Sequence, residues 1–136
     1  MFDGRERQFI SQFTPGTVGF IYEIEFSNGK KYLGRKALYH TRKLPPLKGA
    51  KKKRVVTKES DWKNYNGSFK DKDLRKKIKS GQITLVKRII LAECLDKWSL
   101  TYYETYYLFL KNCLLSDEYY NANILGKFYK PKNLQQ

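Results

Sequence analysis

Alternation of apolar and polar positions is strongest between Val18 and Phe26. Val18, Phe20, Tyr22, Ile24 and Phe26 fall on one side of an extended chain, which predicts a β-strand. A second β-type run, Lys30–Gly34, follows Ser27-Asn28-Gly29, and Asn-Gly between two such runs is a hairpin signal. A two-residue loop would pair Ser27 with Lys30 and send Tyr22 and Tyr32 to opposite faces. A three-residue loop, with a type I turn and Gly29 as a left-handed bulge, pairs Phe26 with Lys30, Ile24 with Tyr32 and Tyr22 with Gly34. Both tyrosines then share a face. Glycine takes a positive φ at little cost, so the bulged register is predicted.

Arg35–Lys43 is expected as a short helix with Ala37, Leu38 and Thr41 on one side, stopped by Leu44-Pro45-Pro46-Leu47. Lys48-Gly49-Ala50-Lys51-Lys52-Lys53-Arg54 has no apolar period and reads as the heart of a mobile basic loop over 44–59. Ser60 or Asp61 is expected to cap a turn whose Trp62 and Tyr65 pack inward. Ser68, with Asp71 three residues on, reads as a helix start and Gly81 as its end, with Leu74 and Ile78 on the buried face. Ile83–Leu91 is short and β-branched and reads as a third strand, with Lys87 and Arg88 on opposite faces. From Asp96 or Ser99 to about Leu115, a stripe of Leu100, Tyr103, Tyr107, Leu110 and Leu114 predicts a second, well-buried helix.

These elements predict an α/β chain of the α+β kind: a small antiparallel sheet of about three strands flanked by helices. One domain is expected over 18–128, after a lead-in at 1–17 and before a polar tail at 129–136. A length of 136 residues suits one modest core.

Charge changes the picture. The chain carries 28 Lys+Arg against 13 Asp+Glu, a net +15 with pI near 9.8. Residues 30–88 alone hold 21 Lys/Arg against Glu59, Asp61, Asp71 and Asp73, or +17 (21 − 4). Such a balance calls for a polyanionic partner. No run of 18 apolar residues and no basic amphipathic helix with an apolar insertion face is present, which argues against a membrane. The N-terminus lacks an apolar signal core, and Cys94 and Cys113 have neither disulfide-framework nor metal-ligand spacing, so a cytoplasmic setting with reduced cysteines is expected.

Gly19-Phe20-Ile21-Tyr22, with Tyr32-Leu33-Gly34 ten residues on, resembles the paired signature of the GIY-YIG nucleases. Arg42 stands ten residues past Tyr32, where that family has an arginine. Glu104 in Leu100-Thr101-Tyr102-Tyr103-Glu104 resembles its metal-binding glutamate. Asn121 in Tyr120-Asn121-Ala122-Asn123-Ile124 is similar to its late asparagine, with Asn123 as the alternative. Trp62-Lys63-Asn64-Tyr65-Asn66-Gly67-Ser68 looks like the Trp-x-x-Tyr-x-Gly-Ser element of the phage Seg-type, homing-endonuclease-like branch. Five motifs in the right order weigh far more than any one. One position departs: Pro46 stands where the family often has His or Tyr, leaving His40 or Tyr39 as substitutes.

The resemblance implies a metal-dependent DNA endonuclease that nicks or cuts, phage-encoded and acting in the host cytoplasm, with a dimer as one arrangement. It implies Mg²⁺, or Mn²⁺, on Glu104 and a phosphate clamp at Arg42. Tyr22 would take a proton from the attacking water, its pKa lowered by the cationic segment and the metal. Tyr32 would bond the water, Asn121 would orient the phosphate or brace the site, and His40 is an accessory candidate. Arg35, Lys36, Lys48, Lys51, Lys52, Lys53, Arg54, Lys58, Lys76 and Lys77 are the candidate DNA contacts. Two alternatives stand beside this. Thr101–Glu104 also fits a capping box, with Glu104 merely bonding a backbone amide. The whole chain also fits a basic nucleic-acid-binding module without catalysis.

Overall fold

The computed structural model describes residues 7–8, 12–65, 67 and 71–132. Its centre is strand β2 (Gly19–Phe26), flanked by β3 (Lys31–Ala37) and β6 (Leu85–Cys94), both antiparallel to it. A two-residue strand β1 (Arg7–Gln8) lines the far edge of β6, so the order is β1-β6-β2-β3. Three long antiparallel strands with α1 (Lys72–Ser80) and α2 (Lys97–Leu110) make up the predicted α+β fold.

The predicted hairpin register is the one found. Ile24 pairs with Tyr32 and Tyr22 with Gly34. The Phe26 amide bonds Lys30 at 2.9 Å, and Gly29 sits at φ +85°. β2 is buried on both sides because each face has its own cover. Phe20, Tyr22, Ile24 and Phe26 meet Leu38, Leu74 and Ile83, with Phe13, Trp62, Tyr65 and Ile78 packed against them. On the other face Ile21 and Leu33 meet Leu100, Tyr107 and Leu108 of α2.

Several boundaries moved, each for a physical reason. The expected helix at Arg35–Lys43 is strand. β3 runs to Ala37, and β4 (Tyr39–Leu44) pairs with β5 (Arg54–Glu59) in a separate two-stranded ribbon. Val55, Val56 and Thr57 supply the β-branched partner, which lies too far along the chain for a local pattern to reveal. The basic loop therefore shrinks to 45–53. The third strand is set later than expected and runs on to Cys94. α2 stops at Leu110 rather than Leu115, as Asn112 turns into the left-handed region at φ +55°. Its buried stripe includes Leu108, whereas Leu110 is 60% exposed. The Ser68 cap lies outside the described residues. α1 is capped by Asp71, whose side chain accepts from the Asp73 and Leu74 amides at 3.0 and 3.2 Å, and Gly81 closes it at φ +85°. The chain ends in a small pair, β7 (Asn123–Ile124) with β8 (Phe128–Tyr129).

Candidate active site

β3 is an edge strand, and the site is built around that edge. Residues 118–121 cover its first half: the Lys31 amide donates to Glu118 at 2.7 Å, and the Tyr120 amide donates to Lys31 at 2.8 Å. Asn121 then continues the ladder with its side chain. Its Oδ1 accepts from the Leu33 amide at 3.0 Å, and its Nδ2 donates to the Leu33 carbonyl at 2.7 Å. Both polar ends of this buried amide are spent on backbone, so its placement is that of a brace holding Tyr32-Leu33-Gly34 in line.

Beyond Leu33 the strand edge opens onto a cleft of about 1080 Å³, lined among others by Tyr32, Arg35, Thr101, Glu104, Asn121 and Tyr129. Side chains reach it from both faces of the sheet. Tyr22 crosses over Gly34, where a Cβ would lie 2.5 Å from its hydroxyl and 2.8 Å from Cζ. The glycine of Tyr-Leu-Gly is thus a passage for the neighbouring phenol. Tyr32 lies beside Tyr22 with ring centroids 6.3 Å apart, and Tyr65 packs edge-on against Tyr22 at 5.7 Å. From the opposite face Arg35 and Glu104 meet, Arg35 Nε lying 3.7 Å from Glu104 Oε1, while its Nη1 donates to the Thr101 hydroxyl.

Electrostatics bind these groups into one unit. Burial pushes the Tyr22 phenol far up, and Tyr32, Tyr65 and the Glu104 charge push the same way. Its hydrogen bond to Tyr65 also holds the Tyr22 proton in place. Tyr32 is pushed up to about 12 by burial, then by Tyr65 and Glu104. Glu104 itself is raised by burial, opposed by the Arg35 guanidinium. Against the expected lowering, Tyr22 is shifted up, because burial dominates and phenols and the Glu104 carboxylate act on its hydroxyl.

Glu104 is not a helix cap. Asp96 caps α2, accepting from the Ser99 amide at 2.7 Å, and Thr101 lies inside the helix. Arg42 and His40 sit exposed on β4 and do not line the cleft. His40 is instead near enough to Asp61 to help lower its pKa, after the Lys36 contact. Lys36 reaches Asp61 at 2.8 Å and lies 4.0 Å above the Tyr65 ring, with only 13% of its side chain exposed. Lys48, Lys51, Lys52, Lys53, Arg54 and Lys58 are exposed on the ribbon and its tip, and Lys76 and Lys77 on α1. From the sequence, Tyr65 was expected only to pack inward and Arg35 only to contact DNA, neither as part of the catalytic group. The Trp62–Tyr65 spacing was a signal for the first. Arg35 next to Gly34 offered none, because its partner Glu104 lies 69 residues away (104 − 35). Arg88 supports Tyr65 from behind, donating to the Lys63 and Tyr65 carbonyls at 3.2 and 2.9 Å.

Compared with known families, residues 3–124 match the family described as "Putative endonuclease segE, GIY-YIG domain". The chain belongs to this SegE GIY-YIG family. No curated protein and no solved structure matches it. The family match takes in both strands of the paired Tyr-bearing hairpin and extends through Glu104, Asn121 and Asn123. Among the described residues no three of His, Cys, Asp and Glu cluster as a metal cage. Of the three carboxylates that line this SegE-type cleft, Asp71 and Asp117 are exposed and Glu104 is the partly buried one that meets Arg35, a donor set that suits a hard cation completed by water and phosphate oxygens rather than a closed zinc site. Among the described residues no helix is long and apolar enough to cross a membrane.

Proposed function

We propose that the chain is a divalent-metal-dependent endonuclease hydrolysing DNA phosphodiesters at the β3 edge. The observation that carries this reading is the meeting of Tyr22, Tyr32 and Tyr65 with Arg35 and Glu104 at the edge of β3.

Glu104 is the residue that would hold Mg²⁺ or Mn²⁺. When bound, the ion supplies charge neutralisation at the scissile phosphate and the leaving oxygen. Arg35 carries the guanidinium role expected of Arg42. Its planar fork already engages Glu104 and Thr101, and its side chain is 45% exposed toward the cleft, leaving N–H groups for a phosphate oxygen. Tyr22 and Tyr32 are neutral phenols at physiological pH. They hold and orient the attacking water by hydrogen bonds, and the proton it loses leaves to solvent through the open cleft. Asn121 keeps Tyr32 and Gly34 in register. DNA approaches across the basic surface of the ribbon tip, where Lys48, Lys51, Lys52 and Lys53 are exposed, and of α1.

The test is plasmid cleavage at low salt with Mg²⁺ or EDTA, comparing wild type with Glu104→Gln and Arg35→Ala. Metal-dependent cutting that both variants lose, with DNA binding retained, supports the reading. Wild-type protein that binds DNA but leaves it intact across divalent metals and substrates replaces it with a basic binding module.

A further inference from the structure

β4 and β5 are six residues each and stand apart from the main sheet. All twelve residues except Leu44 are exposed, and neither face is covered by the domain: Tyr39 is 52%, Val55 64% and Val56 41% open to solvent. A bare two-stranded ribbon is marginal by itself. This one is tied down at its base, where the Ser60 amide and hydroxyl donate to Leu38 and Ala37 at 2.7 and 2.6 Å.

The pairing register sorts its side chains. His40 faces Lys58, Arg42 faces Val56 and Leu44 faces Arg54, so these six share one side. That side carries Arg42, Arg54 and Lys58 and no acid. Tyr39–Glu59, Thr41–Thr57 and Lys43–Val55 share the other, where Lys43 and Glu59 cancel. Residues 39–59 hold eight Lys/Arg against Glu59, a net +7 (8 − 1). At about 3.4 Å per residue the ribbon is roughly 20 Å long, and the B-DNA major groove, about 12 Å wide, admits a two-stranded ribbon.

We infer that the β4–β5 ribbon enters the major groove of duplex DNA with its His40-Arg42-Leu44/Arg54-Val56-Lys58 side against the base edges, and that Arg42 reads sequence there instead of acting at the scissile phosphate. The inference rests on DNA being the substrate of the β3-edge cleft. Two successive cross-strand pairs each set one guanidinium beside one aliphatic chain. That is the chemistry for guanine O6/N7 next to a thymine methyl, and more than phosphate tracking requires. The Lys48–Lys53 tip is left to the backbone phosphates.

The experiment is fluorescence anisotropy of the full chain in EDTA, so that binding is read without cleavage. Arg42→Ala/Arg54→Ala should weaken duplex binding by at least about tenfold and flatten differences between duplex sequences. Lys43→Ala/Thr57→Ala, on the opposite side, should change binding less than about threefold. Methyl green in the major groove should displace the protein, netropsin in the minor groove should not, and duplex RNA, whose A-form major groove is too narrow, should compete poorly. Wild-type binding by the double variant, displacement by netropsin alone, or an Arg42→Ala protein that binds normally yet does not cut would overturn the inference. Ribbon-dependent binding without cleavage by wild type sinks only the nuclease reading. Cleavage by wild type with unaltered binding by the double variant sinks only the ribbon.

Discussion

The protein contains two antiparallel hairpins that obey opposite rules. β2–β3 is buried on both faces and closed by a three-residue bulged loop. β4–β5 is exposed on both faces and closed by a nine-residue basic tip, 45–53. The first invests its side chains in packing, and that packing fixes the tyrosines to within a rotamer. The second invests almost nothing in packing and holds its cations in water. A charged partner can therefore change the second hairpin freely, while the first must hold still for chemistry.

Substitutions at the buried hairpin and the site it carries should have large effects on stability or cleavage, and those on the ribbon small effects on stability. The largest effect is expected for Glu104→Gln, which removes the carboxylate that meets Arg35 at the cleft. Single-turnover cleavage should fall by at least about 10²–10³-fold, and residual cutting near wild type would break the link between hairpin and site. Next comes Asn121→Ala, which strips both partners from the Leu33 backbone. Two buried groups left unpaired cost about 2–4 kcal/mol, readable in urea unfolding. A loss below about 0.5 kcal/mol would mean that the edge of β3 needs no brace.

Gly34→Ala sharpens the comparison further. Its Cβ collides with the Tyr22 hydroxyl, and overpacking of this kind costs about 1–3 kcal/mol. Cleavage should drop by more than the stability change explains, because the displaced atom belongs to the site. By contrast Thr57→Ala on the ribbon should stay within about 0.5 kcal/mol of wild type. A larger value in urea would show that the ribbon packs on something after all.

The site also carries a stability cost with a defined pH signature in EDTA. Burial raises the Glu104 pKa above its ordinary 4.5. Between 4.5 and the raised folded value, the native state binds more protons than the unfolded chain, so stability falls as pH rises through that window. Above it the ionised carboxylate is carried at a cost. Glu104→Gln should therefore raise the thermal midpoint at neutral pH and not at pH 4, and Mg²⁺ should raise the wild-type midpoint alone. A variant less stable than wild type at pH 7 would mean that the Arg35 pair outweighs desolvation.

Local chemistry carried the sequence reading a long way. Asn28-Gly29-Lys30 was enough to choose the bulged register, because turn geometry and strand phase are set within ten residues. Gly81 ending α1 and the apolar face of Leu74 and Ile78 were equally local, and of the two starts the sequence offered for α2, Asp96 and Ser99, the structure has Asp96. The helix expected at Arg35–Lys43 failed for the converse reason. An exposed strand has no buried face to impose a period of two, so its identity resides in partner residues 10 (54 − 44) to 20 (59 − 39) positions away.

The sequence by itself determined the central hairpin, the antiparallel α+β class and the two aligned tyrosines. Only the tertiary structure decided that Glu104 and Arg35 come round the edge strand from the other face to meet them. It alone decided that Gly34 is a passage for Tyr22, that Asn121 is spent on Leu33, and that Tyr65 closes the group. Strand phase is a property of neighbouring residues and survives in the pattern. The meeting of residues 22, 32, 35, 65 and 104 depends on sheet order and on which strand is left at the edge, and no local period records that.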